Sequence, residues 1–113
     1  MSRAILLTPI PRFDVRKAEV HGTVTYLFQS SAEIPIFGGQ SSLMKMIQAL
    51  EKIEYDAKTD FIVQTGQIAL VSMMTLAASE CSSDGSVRIL IFDARDNSYR
   101  ARSLDPVGVP KEE

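Results

Sequence analysis

Apolar residues in this chain fall into runs of two kinds, and their period separates strands from helices. Residues 4–10 (AILLTPI) form a nearly continuous apolar run, the pattern of a strand covered on both faces. Residues 23–28 (TVTYLF) are β-branched and aromatic, side chains that suit a pleated surface and lose rotamer freedom in a helix. Residues 61–64 (FIVQ) and 87–92 (VRILIF) predict two further buried strands. Residues 99–104 (YRARSL) alternate large and basic side chains, as an edge strand does, and follow a turn through Asp96 and Asn97.

Three segments carry helical signals. Asp14 can cap a short helix over residues 15–20, with Gly22 available to end it. Leu43, Met46, Ile47, Leu50 and Ile53 recur at helical spacing between Lys45, Gln48, Glu51 and Lys52, so an amphipathic helix should start at Ser41 or Ser42 and end near Tyr55. Over residues 67–80 the apolar side chains surround the axis, and a helix apolar on all sides must be covered on all sides. Either the sheet and its other elements supply that cover, or a partner subunit does. Residues 29–40, broken by Ser30, Ser31, Pro35, Gly38 and Gly39, read as a long loop anchored by Ile34, Ile36 and Phe37.

The order β-α-β-α-β-α-β-β predicts an α/β fold: a single small Rossmann-like or flavodoxin-like sheet, mostly parallel, with helices on its faces and an antiparallel C-terminal edge strand. Residues 1–104 form one domain in this reading, and residues 105–113 a frayed tail.

Composition narrows the function classes. At 45% hydrophobic and 23% charged, the 113-residue chain is ordinary for one folded domain. Its formal net charge of −2 provides no overall field for nucleic acid or an anionic membrane. A local basic patch remains conceivable from Arg12, Arg16, Lys17 and His21, or from Arg95, Arg100 and Arg102, but solvated surface is the simpler expectation. Cys81 is the sole cysteine, which excludes an intramolecular disulfide and fits a reducing compartment, the cytoplasm. The N-terminal apolar run is too short for a signal peptide, and the run from Ile68 to Ala78 too short to span a bilayer.

In open parallel sheets ligands bind beyond the carboxyl ends of the strands. Thr65, Gly66 and Gln67 at a strand-to-helix junction, with Asp93 and Arg95 after the following strand, are therefore the candidate ligand-binding residues. The plainer alternative is that Thr65 caps the helix and Gly66 permits a tight turn, since neither nucleotide glycine motif is present. No nucleophile motif accompanies His21, no ligand set has metal spacing, and Cys81 has no basic neighbour in sequence to activate it. No catalytic residue, metal or cofactor is expected.

The segments YDAKTDFIVQTGQIALVSMMTLAA and VRILIFDARDNSYRAR resemble small uncharacterised proteins encoded in tailed-bacteriophage genomes. Asp60, Gly66, Phe92, Asp93, Arg95 and Tyr99 carry the resemblance, which spans residues 55–102 and implies a phage protein made in the bacterial cytoplasm. With no catalytic constellation, the favoured expectation is a non-enzymatic protein that forms a homo-oligomer or binds a host protein. Its surface would include Ile34, Ile36, Phe37, Met73 and Met74. A small-ligand or nucleotide site at the Thr65–Gly66 junction is the alternative.

Overall fold

The structure, a computed structural model, describes residues 2–10, 14–34 and 38–106. Its elements run β1 (Arg3–Leu6), α1 (Val15–Glu19), β2 (Thr23–Tyr26), a single 3-10 turn (Ser31–Glu33), α2 (Gln40–Lys52), β3 (Phe61–Val63), α3 (Ile68–Glu80), β4 (Val87–Asp93) and β5 (Ser98–Leu104). One five-stranded sheet orders them β2-β1-β3-β4-β5. The first four strands are parallel, and β5 pairs antiparallel with β4 from Val87↔Leu104 to Asp93↔Ser98. Of the two expected topologies this is the flavodoxin-like order, closed by an antiparallel edge strand.

Side-chain alternation along the strands builds two cores. Ile5, Leu7, Ile62, Val87 and Ile89 face α2 and α3 with Met46, Leu50, Leu70 and Met74. Ala4, Leu6, Phe61, Val63 and Leu90 face the other way, toward Ala18 of α1 and Tyr99 of β5. The helices that return from β2 to β3 and from β3 to β4 thus share one face, and the one from β1 to β2 takes the other, as right-handed crossovers require for this strand order.

Several boundaries depart from the sequence reading. The first strand stops at Leu6, because Pro9 cannot continue a ladder. β2 stops at Tyr26, although Leu27 and Phe28 still donate to the carbonyls of Leu6 and Leu7 at 2.8 and 2.9 Å. Neither Ser41 nor Ser42 caps α2. Gly39 does so at φ 58°, a left-handed conformation, while Ser42 is buried within the helix. The helix stops at Lys52 and not near Tyr55, because Glu54 turns left-handed at φ 57°. Amide groups of Glu54 and Tyr55 then close back on the carbonyls of Glu51 and Leu50, a Schellman ending. Residues 107–113 of the expected tail lie outside the described residues, as do Arg12, Ile36 and Phe37.

The largest correction concerns α3. Leu70, Val71, Met74, Ala77 and Ala78 are buried, but Ile68 is 81% exposed and Leu76 50% exposed, with Ser72 exposed between them. One side of the helix therefore meets solvent. The layered architecture holds without complete cover, because the remaining circumference is enough to anchor α3 between β3, β4 and α2.

Candidate functional site

At the carboxyl end of β3, Gln64 is held by Thr75 of α3 through its amide at 2.9 Å. Thr65 and Tyr99 then share a hydroxyl hydrogen bond of 2.5 Å, which ties the junction to β5. Burial pushes the Tyr99 phenol above the usual tyrosine range, and the bond to Thr65 opposes this only in part. Gly66 adopts φ 132°, a conformation that side chains rarely take, and its backbone packs toward Ile10 and Val71. Gln67 caps α3, its side-chain oxygen accepting from the amide of Leu70 at 3.3 Å. The expected Thr65 cap is therefore replaced by Gln67, and the Thr65 hydroxyl is turned toward Tyr99.

Asp93 and Arg95 lie at the β4–β5 turn, and their charges are spent on each other and on Arg100. The Asp93 carboxylate accepts from Arg100 Nε at 2.7 Å and from Arg95 Nε at 3.3 Å, and Asp96 pairs with Arg100 as well. The guanidinium of Arg100, and after it that of Arg95, holds the Asp93 carboxyl below the usual carboxylate range. A concavity of about 380 Å³ beside them is lined by Ile91, Phe92, Arg100 and Arg102, and by none of Thr65, Gly66 and Gln67. The five residues expected to converge on a ligand divide between a filled junction and a salt-bridged turn.

Of the residues expected at an interaction surface, Ile34 is 1% and Met74 0% exposed, so both belong to the core. Each points at the sheet-facing interior, where α2 and α3 meet. Met73 is half-buried and packs partly against the same core.

What the sequence reading did not single out is the bare face beyond α3. Among the described residues no helix lies over β5 on this side of the sheet, so Ile91 of β4 and Leu104 of β5 remain partly exposed, as do Ile68 and Leu76 on the solvent side of α3. Leu76 and Leu104 line one groove of about 490 Å³ with Ser72, Thr75, Val87 and Pro106. Arg100 and Arg102, which pair across from Ile91 and Ile89, project on this same face. The helical period through residues 68, 72 and 76 was the available signal, hidden because both sides of α3 are apolar.

At the opposite end of the strands lies a buried ion pair. Asp60, 1% exposed, receives the Arg3 guanidinium at 2.8 Å and the amides of Arg3 and Asp56 at 3.1 and 2.9 Å. The same guanidinium donates to the carbonyls of Ile53 and Glu54, stitching the end of α2 to β1. A neighbouring cavity of about 580 Å³ is lined by Tyr55, Lys58, Cys81, Asp84, Ser86 and Arg88 among others. Burial, and then the charges of Glu51 and Glu80, raise the Cys81 thiol, the reverse of an activated nucleophile. Among the described residues there is no cluster of metal-ligating side chains and no helix long and apolar enough to cross a membrane.

No curated protein and no solved structure matches the chain. The phage resemblance seen over residues 55–102 extends well into the N-terminal half, since residues 7–106 match a family described as Phage Pam3 gp32-like protein. Because that match spans every element after β1, the chain belongs to the Phage Pam3 gp32-like protein family.

Proposed function

We propose that this phage protein is a non-enzymatic association module, made in the bacterial cytoplasm, whose α3–β5 face contacts another protein chain. That chain is a second copy or a partner protein. The observation that carries the reading is the exposure of Leu76 beside the uncovered Leu104, with Ile68 of α3 and Ile91 of β4 exposed as well. Exposed apolar side chains cost solvation unless something covers them, and Leu76 and Leu104 lie together in one groove, as apolar residues at interaction sites do. The chemistry around it supports the same reading: the charged groups at the β4–β5 turn are paired internally, and the thiol is not activated.

Sedimentation velocity tests the proposal, on the protein alone at micromolar concentration and mixed with lysate of the host bacterium. The expected result is a species larger than the monomer in at least one setting, lost in Leu76→Glu with the circular-dichroism spectrum unchanged. A particle that stays monomeric in both settings, or a complex that Leu76→Glu leaves intact, overturns it.

A further inference from the structure

The open edge of β5 has a defined length and a defined chemistry. In an antiparallel ladder alternate residues bond inward and outward. The carbonyl of Tyr99 meets His21 Nε2 at 3.0 Å, and that of Ala101 accepts from the side chain of its neighbour Arg102 at 2.7 Å, so Tyr99, Ala101 and Ser103 are the residues turned away from β4. α1 closes the edge near the turn, where Lys17 Nζ also reaches the carbonyl of Asn97 at 3.4 Å. Beyond it, the edge from Ala101 to Leu104 is exposed and, among the described residues, carries no covering element.

We infer that this stretch of β5 takes up a short extended segment of another protein, in which an acidic residue lies opposite Arg102 and an apolar residue opposite Leu104. The inference rests on the association role proposed above and assigns its mode and the partner's chemistry. Residues directly opposite across a ladder share a face, where opposite charges attract and like charges repel. Arg102 makes no ion pair among the described residues, unlike Arg95 and Arg100, and its guanidinium donates to the Ala101 carbonyl, so an incoming strand brings a carboxylate to its unpaired charge and an amide to the carbonyl it releases. Leu104 already shares a groove with Leu76, which extends apolar surface under the incoming side chain. In the antiparallel sense the partner reads apolar, any residue, acidic; the residue between these two bonds to the outward groups of Ser103, and the residue after the acidic one to those of Ala101.

A second copy of this chain fits the edge badly. Two-fold pairing centred on Arg100, Ala101 or Arg102 sets arginine opposite arginine, the repulsion by which edge strands discourage self-pairing, and pairing centred on Ser103 sets each Arg102 opposite an apolar Leu104 with no carboxylate to meet it.

The test is an amide NMR titration with a capped six-residue peptide carrying leucine at its third position, glutamate at its fifth and threonine elsewhere, beside a control with lysine for glutamate. Saturable shifts at Ala101 and Ser103 are expected with the glutamate peptide, and binding of the lysine peptide about tenfold weaker. Arg102→Glu should invert that preference, and Ala101→Pro, which removes one outward N–H, should abolish both interactions. Absence of saturable shifts with the glutamate peptide, equal binding of both peptides, or β5 shifts that follow protein concentration alone overturn the inference. Shifts confined to Ile68 and Leu76 also overturn it while leaving the association role standing, whereas loss of that role is read separately from the Leu76→Glu sedimentation result.

Discussion

Asp60 is a carboxylate sealed from water just before β3, and Arg3, which neutralises it, opens β1. Removing one partner of a buried pair leaves the other uncompensated. Arg3→Ala should therefore cost about 3 kcal/mol in urea unfolding, toward the lower end for such losses because two backbone amides still reach Asp60. The strand onset at Arg3 shows no local pattern that marks it as a charge partner, so only the folded register discloses the pair. Asp60 itself was visible through the phage resemblance, though not its purpose.

Tyrosines provide a second test at this scale. Burial raises both Tyr55 and Tyr99 above the ordinary tyrosine range, with the nearby charge of Asp60 adding to the effect at Tyr55. A group with a raised folded pKa contributes stability below its unfolded pKa and loses it as pH climbs toward the folded value. Stability should accordingly hold up to about pH 10 and fall above it. Chemical unfolding at a series of alkaline pH values checks this, and Tyr99→Phe should flatten the decline while weakening the tie to Thr65.

Among the elements, α2 and α3 show how far a helical pattern carries. The amphipathic stripe of α2 located that helix within a few residues, but its ending depends on Glu54, a residue type that gives no hint of a left-handed turn. An L side chain at that φ is strained, so Glu54→Gly should raise stability by about 0.5–1 kcal/mol, measurable as a higher urea midpoint at unchanged slope. In α3 the apolar residues occupy the whole circumference, and composition alone could not say which side meets water. Buried Met74 and exposed Ile68 now make opposite predictions: Met74→Ala should cost about 3 kcal/mol, whereas Ile68→Ser should stay within about 0.5 kcal/mol.

Across the whole molecule, β1, β3 and β4 contribute alternate residues to both cores, so neither core can be lost without disrupting the strands that build the other. One cooperative unfolding transition is expected, with far-ultraviolet circular dichroism and tyrosine fluorescence changing together; separated midpoints would contradict the shared-strand arrangement. Coverage is uneven at this scale. Among the described residues three crossover helices serve a five-stranded sheet, and the hairpin partner β5 arrives without a helix of its own, which is why apolar side chains of α3, β4 and β5 are left facing solvent.

Local chemistry in the chain was sufficient for the succession of strands and helices, the parallel sheet with its antiparallel edge, and the phage resemblance, because period, β-branching and turn residues act over a few neighbours. Tertiary structure alone decided which apolar residues became surface. Ile34 and Met74 went into the core while Ile68 and Leu76 stayed outside, since exposure depends on where elements distant in sequence come to rest. The same reason separates Thr65 from Asp93: a shared sheet edge was readable from topology, but the reach of Tyr99 to Thr65 and the arginines gathered on Asp93 exist only once the hairpin has folded back on the sheet.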